Sequence, residues 1–391
     1  MEVYEGRPSP GGGNGVFAKK DIKPGTTIMK DQMVMQITKS GPQHTDDEVR
    51  HAFNQLRPDQ QAQFLALHEG SRTFKTRLLR IYKANAFGHG NVSHIYLDIS
   101  RINHACVPNA ELDLGPDDTS ASVTVVAIRP ILRDEEVLIC YNPMFSSMTA
   151  QQRGNLLRAY YGFACSCTSC LLQGHRRMLS DARRRLIKAV MFPLHGNIPP
   201  DFDQFNTLTV ANAETTPGVA SRDLAVPLSH STHCGYSLLL TQLLEAENME
   251  GVDLASAYFG AASSLMSQMV AMDDIIVLQS AKNVKCWSEK SIEIMTKVRG
   301  RNGHATVLLR EQWENMQSQP QLYAALEFLG SENCSRFRVQ QRDGTMHEAF
   351  ALWHRSDANQ LCALTESTCI AVLSGTVSRS LLNQRKVKLA P

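Results

Sequence analysis

The first part of the chain alternates short apolar runs with turn residues. Residues 16–18, 27–29, 122–127 and 137–141 are β-branched or apolar and sit between Gly, Pro and Asp signals, which predicts short strands gathered into small mixed sheets. One spacing occurs twice: Ala18, Ile22, Gly25 and Ile28 recur as Ala127, Ile131, Asp134 and Val137. Two similar hairpins produce such an echo. Between them, Val49, Phe53, Leu56, Phe64 and Leu67 fall at helical intervals interrupted by Pro58, so a helical insert is expected over about 45–80.

Beyond Cys170 the period becomes helical. Leu179, Ala182, Leu186 and Val190 share one face of a helix over 178–190, with Arg183, Arg184 and Arg185 mostly off it, as a solvated face. Residues 192–233 are rich in Pro, Thr and Asn and predict an irregular connection. From 235 to about 316 the chain reads as packed helical hairpins, with Leu254, Ala257, Ala261 and Leu265 keeping one face apolar and residues 281–298 continuing the pattern. The remainder, from Pro320, mixes a short helix with β-like runs such as 369–373 and carries no motif. The fold class is therefore α+β.

Composition narrows the setting. At 391 residues and 43% apolar, the chain can bury a sizeable core in more than one packed unit. Forty basic against 38 acidic residues leave +2, too weak a field to argue for nucleic acid or an anionic membrane as a partner. The opening "MEVYEGRPSP" lacks the basic start and apolar core of a secretory signal, and no run of about 20 apolar residues could span a bilayer. An intracellular protein, nuclear and/or cytoplasmic, is expected, its oligomeric state unreadable. In a reducing compartment ten cysteines suggest metal ligands where clustered and small buried hydrophobes where scattered.

Four segments carry candidate chemistry. "GGGNGVFAKKDIKPG", residues 11–25, is rich in glycine, but a phosphate loop needs Gly-Lys-Ser/Thr opening a helix and a dinucleotide fold needs strand, loop, then helix. Here the glycines lead into a strand, which leaves a flexible linker or a stretch of bare backbone for a ligand to lie against. "RINHACVPNA", residues 101–110, crowds Asn103, His104, Cys106 and Asn109 beside Pro108. "EEVLICY", residues 135–141, is a strand ending on Tyr141. "YYGFACSCTSC", residues 160–170, sets Cys165, Cys167 and Cys170 at a Cys-x-Cys-x-x-Cys spacing, which can gather thiolates around one ion. A closed zinc site wants four, and Cys106 is the candidate for the last. Cys140 lies in a strand, while Cys234, Cys286, Cys334, Cys362 and Cys369 stand alone as fillers or surface thiols.

In this order the four segments resemble the SET-domain protein-lysine methyltransferases, most closely the SET-and-MYND branch and the fungal SET proteins related to it. The resemblance covers residues 1–170. It implies a compact β-fold with a threaded, pseudoknot-like arrangement, S-adenosylmethionine in a cleft on one side and a lysine entering by a narrow channel from the other. It implies a SET domain over 1–145 and a zinc-binding post-SET segment over 146–170; beyond its reach the hydrophobic period places a helical domain over 171–318 and leaves a C-terminal region over 319–391 of open role. By motif position, Asn14, Gly15, Val16, Asn85, Asn103, His104, Tyr141 and Phe163 would contact the cofactor, Asn85 being carried by "NAF", residues 85–87. Tyr141 and Tyr161 would be catalytic beside the transferred methyl group and the lysine channel.

The expected activity is S-adenosylmethionine-dependent N-methylation of a histone or non-histone lysine. Recruitment of the same pocket to a small metabolite, or a zinc-stabilised interaction protein without turnover, are the alternatives. The chain departs from the family at Ala105 and Cys140, where serine is usual, and at Asp134, where glycine is usual; Asp tolerates left-handed geometry. No Cys/His array for a MYND finger precedes Asn103.

Overall fold

The computed structural model describes residues 3–38, 44–89, 92–113, 121–195, 228–271 and 275–330, and the backbone of four further strands between 338 and 364. Most of the predicted 192–233 connection and the 369–373 run lie outside the described residues. Two compact units emerge: Met1–Pro227 with Leu239–Ala255 and Glu293–Val307, and Leu228–Leu238 with Ser256–Ile292 and Leu308–Pro391.

The first unit begins with β1 (Tyr4–Pro8), β2 (Asn14–Ala18) and β3 (Thr27–Thr38). Helices α1 (Asp46–Asn54), α2 (Pro58–Leu65) and α3 (Arg77–Asn85) follow, then β4 (Phe87–His89), β5 (Val92–Tyr96), β6 (Asn103–His104), β7 (Ala110–Asp113), β8 (Ser122–Ala127) and β9 (Glu136–Ile139). Helix α4 (Ala150–Leu156) runs into a π-helical turn, Leu157–Tyr161, and α5 (Gly174–His195) comes next. One sheet has the order β1-β2-β9-β6, the other β4-β5-β3-β8-β7. The first is mixed, because β6 pairs parallel to β9 while the other neighbours are antiparallel.

The repeated spacing corresponds to two hairpins that grip each other reciprocally. Ile22 N donates to Ile131 O at 2.8 Å and Ile131 N to Ile22 O at 3.0 Å. Gly25 N donates to Ala127 O at 2.7 Å, and in the matching position Asp134 N donates to Ala18 O at 2.8 Å. Both turn residues are left-handed, Gly25 at φ 81° and Asp134 at φ 68°, a geometry Asp adopts more readily than most side chains. Ile22 and Ile131 are buried with Val16, Val125, Val137 and Ile139 in the core the two sheets share.

The insert folds as its pattern predicts. Pro58 stands in the first turn of α2, where its missing N–H costs nothing, so it divides the periodic stretch into two helices instead of kinking one. Val49, Phe64, Ile81, Tyr82 and Ile95 pack in a second core. Helix α5 forms, but its buried face is not the expected one. Leu179 and Leu186 are 44% and 49% exposed, whereas Arg184 is fully buried. Its Nε donates to Glu247 Oε2 at 3.0 Å and its Nη1 to Phe145 O at 2.7 Å, while Arg183 and Ser180 also bond Glu247. A charged partner from outside the helix thus draws Arg184 fully and Arg183 partly inward, against the solvated reading, while Arg185 is exposed and Val190 buried as expected.

The second unit draws on α6 (His230–Ala246), α7 (Val252–Ala271), β10 (Ile275–Val277), α8 (Leu278–Arg299), α9 (His304–Gln317) and α10 (Pro320–Gly330). It also contains β11 (Arg338–Gln340), β12 (Met346–Glu348), β13 (Ala351–Arg355) and β14 (Gln360–Leu364), with β10 joined to β13 and β13 to β14. Met266, Ile276, Ala281, Trp313 and Leu322 form its core. Among the described residues no helix is long and apolar enough to cross a membrane.

Candidate functional site

The glycine-rich loop meets the Asn103 segment at a carboxylate. A Cβ added to Gly15 would lie 2.0 Å from Glu136 Oε1, so a side chain there would have to displace the Glu136 carboxylate from its place against β2. Glu136 Oε1 accepts from Asn103 Nδ2 at 2.7 Å, and Oε2 accepts from Ser9 Oγ at 3.0 Å. Asn103 Nδ2 also donates to Asn14 O at 3.1 Å, tying together positions 89 apart. With its N–H groups committed, Asn103 keeps its amide oxygen as acceptor. Val16 departs from expectation in one respect: it sits in register with Gly6 and Val137, so its backbone belongs to the sheet and its side chain to the core, leaving exposed Asn14 as the accessible end of the strand.

Past Ile139 the chain leaves the ladder, and this places Tyr141. Its backbone N donates to His104 Nδ1 at 3.2 Å, which puts the imidazole proton on Nε2, 3.3 Å from Cys106 Sγ. Burial lowers His104 to about 4, so the ring is neutral at physiological pH. The Tyr141 hydroxyl donates to Ile102 O at 2.9 Å. Burial raises both the Tyr141 and the Tyr161 phenol, so each keeps its proton. The neighbouring Cys140 thiol, pushed up to about 11 by burial, donates to Asn142 O at 3.1 Å.

Tyr161 ends the π-helical turn, a local widening that recurs at functional sites. Gly162 stops it at φ 76°, where a Cβ would meet the Gly70 and Ser71 backbone at 3.4 Å. The Tyr161 carbonyl accepts from His68 Nε2 at 2.8 Å. The Tyr141 and Tyr161 ring centroids are 5.0 Å apart, and Phe163 lies 6.4 Å from Tyr141 and 6.3 Å from Tyr161. His104 closes the cluster at 5.1 Å from Tyr141.

A cavity of about 440 Å³ opens beside these rings, lined by Tyr141, Tyr161, Ile102 and Cys140 and, across it, Asn85 at the end of α3. The Asn85 amide N donates to His68 O at 2.8 Å and Ile81 O at 2.6 Å. Asn14, Gly15, Val16, Asn103, His104 and Phe163 do not line this cavity; those that approach it do so through hydrogen bonds or ring contacts to Tyr141.

The four predicted metal ligands do meet. The Sγ atoms of Cys106, Cys165, Cys167 and Cys170 all lie within 4.8 Å of one another. A tetrahedron with metal–sulfur bonds of about 2.3 Å has ligand edges of about 3.8 Å, so the set fits an ion such as zinc with little adjustment. Fully buried Arg153 flanks it, with Nε donating to Cys106 Sγ at 3.1 Å and Nη2 to Cys170 Sγ at 3.6 Å. Such N–H to sulfur bonds suit thiolates, whose negative charge the guanidinium offsets.

Residues 13–142 match the SET domain family. The chain carries a SET domain. The histone-lysine N-methyltransferase set5 of Schizosaccharomyces pombe is 30% identical over 186 residues, 47% of this chain and 56% of that protein. The protein-lysine N-methyltransferase SMYD4 of Homo sapiens is 35% identical over 82 residues, 21% of this chain and 10% of that protein. The chain thus spans little more than half of the first relative's length and a tenth of the second's. The SET domain of LSMT bound to lysine and AdoHcy covers 85% of this chain and 93% of its own at 10% identity with a TM-score of 0.27, and plays no part in the assignment.

Three residues around the SET-domain site escaped the sequence reading: Glu136, Arg153 and Glu111, the last on the wall of the same cavity. Each is a charged residue whose partner is remote in sequence. Only the "EE" of "EEVLICY", a pair of carboxylates in a strand otherwise apolar, offered a signal.

Proposed function

We propose that this SET-domain protein is an S-adenosylmethionine-dependent protein-lysine N-methyltransferase acting on a histone or non-histone lysine. The observation that carries the reading is the linkage of four remote segments through Tyr141: its backbone bonds His104, its hydroxyl bonds Ile102, and its ring stands against Tyr161 and Phe163. Asn14, Gly15, Asn85, Asn103, His104, Tyr141 and Phe163 form the cofactor side, with Val16 holding the strand behind Asn14. Asn14 and the amide oxygens of Asn85 and Asn103 offer acceptors, and the ring cluster offers electron-rich faces suited to a sulfonium. When bound, S-adenosylmethionine supplies an electrophilic methyl group on that sulfonium.

Tyr141 and Tyr161 are the catalytic pair. Because both phenols stay protonated, neither serves as a base. Tyr141, whose hydroxyl proton is given to Ile102 O, holds an oxygen lone pair in fixed position to orient the methyl group and the attacking amine. The largely apolar cavity disfavours the substrate ammonium, whose ordinary pKa is about 10.4, and so favours the neutral amine that attacks. Cys106, Cys165, Cys167 and Cys170 hold a structural zinc that pins Tyr161 and Phe163 beside the Asn103–His104 segment.

Transfer of labelled methyl groups to lysine peptides and lysate proteins tests the reading. Tyr141→Phe is expected to stay folded, losing only about 1 kcal/mol with the Ile102 hydrogen bond, and to bind cofactor, while transfer falls by about 10²-fold or more, the scale seen when one preorganised polar group is removed from an active site. Undiminished transfer by that variant, or labelling of metabolites alone, excludes it.

A further inference from the structure

The cavity beside Tyr141 and Tyr161 continues, within the first unit, past the aromatic cluster. Its far wall carries Glu111 and Leu112 of β7, Glu250 and Asp253 around the start of α7, and Arg299. Three carboxylates therefore face one guanidinium. Arg299 is already shared: Nη1 donates to Leu112 O at 2.9 Å, Nε lies 3.8 Å from Asp113, and Nη1 stops 3.7 Å from Glu111 Oε2. Glu111 Oε2 is shut off from solvent and has no hydrogen-bond partner. Its other oxygen, Oε1, lies against the bare backbone of Gly251, 2.1 Å from where a Cβ there would fall. Burial pushes Glu111 up to about 7; Arg299 pulls it down, Asp253 pushes it further up, and the Val252 backbone N–H pulls it down again. Glu250 and Asp253 are exposed at the rim.

A carboxylate with one oxygen short of a donor, in a mostly apolar cavity lined by two more carboxylates, is complementary to a cation that brings its own N–H groups. We infer that this wall holds a Lys or Arg side chain neighbouring the modified lysine, so that the substrate is a basic peptide segment. Glu111 is the half-buried anchor, and the exposed Glu250 and Asp253 set the preference. The inference rests on the lysine-methylation reading of the tyrosine end of the cavity. A volume of about 440 Å³ is that of a site receiving a whole small ligand, more than one extended lysine stem requires.

Anisotropy of two labelled peptides on the full chain tests this. Both carry one central lysine; arginine flanks it in one, and glutamine stands at the same positions in the other. The arginine peptide is expected to bind about tenfold tighter, with the advantage shrinking as salt rises. Glu250→Gln with Asp253→Asn, at exposed positions where folding is readily checked by melting, is expected to erase most of that advantage, and Glu111→Gln alone to reduce it. Equal binding of the two peptides, a preference unchanged in the double variant, or no binding of either overturns the inference. Methyl transfer is followed in parallel. Transfer without an arginine preference removes this inference alone, whereas an arginine preference with no transfer to any lysine removes the methylation reading and leaves a basic-segment binding site.

Discussion

At the cysteine corner, Arg153 brings Nε to 3.1 Å from Cys106 Sγ and Nη2 to 3.6 Å from Cys170 Sγ; at the Glu111 wall, Arg299 stops 3.7 Å short and gives its N–H to the Leu112 carbonyl. Both regions bury negative charge. In the first, the donors reach the acceptors and the ensemble is closed, as a scaffold requires. In the second, one carboxylate oxygen is left without a donor, a cost that persists in a fold only where something else relieves it. The difference teaches where to look for a ligand: completeness of hydrogen bonding separates the two regions better than charge does, since both are electronegative.

The largest effect is expected from opening the closed corner. Structural zinc contributes on the order of 10 kcal/mol of binding energy that is also folding energy. Chelation, or Cys167→Ser, is therefore expected to lower the melting temperature sharply and to loosen the Tyr161 segment, read by hydrogen exchange at residues 160–170. Unchanged melting after complete metal removal would contradict the scaffold role. Arg153→Met comes next, at about 3–5 kcal/mol, because it leaves thiolate charge buried without its partner. Its separate signature is faster metal loss to a colorimetric chelator, which a purely packing role for Arg153 does not predict.

At the open wall the sign reverses. Glu111 has a folded-state pKa of about 7 against 4.5 ordinarily, so the folded protein holds a proton that the unfolded chain has released. Its contribution is fully present below about 4.5 and is lost as pH rises toward 7. Glu111→Gln is thus expected to be more stable than the parent at pH 8, by about 1–3 kcal/mol, with little difference at pH 5. Denaturant melts at the two pH values check this, and a variant destabilised equally at both would place Glu111 with the closed corners. The smallest effect belongs to Glu136→Gln. The amide retains one carbonyl acceptor for Asn103 or Ser9, so a loss of about 1 kcal/mol is expected. A much larger loss would mean that ionic charge holds the Gly15 corner.

The sequence made local patterns plain and remote partnerships invisible. The spacing shared by Ala18–Ile28 and Ala127–Val137 announced the two hairpins because each turn obeys its own backbone chemistry. Pro58 marked the start of α2 for the same reason. The Cys-x-Cys-x-x-Cys run carries most of the thiol cluster, and Cys106 follows from the isolation of the other thiols. Strand β3 was read over 27–29 yet extends to Thr38, since its later residues gain their place from pairing with β5. Arg184 was read as solvated because nothing nearby in sequence reveals Glu247, 63 positions away. Glu136 and Arg153 were missed likewise, each being defined by whom it meets rather than by its neighbours.

The reciprocal clasp of Ile22 and Ile131 also bears on how the chain tolerates growth. The span it closes holds strands β3–β8 and helices α1–α3, and length added to a connection inside that span costs little entropy, about 0.6 kcal/mol for each doubling. Such a connection can therefore grow without loosening the clasp itself.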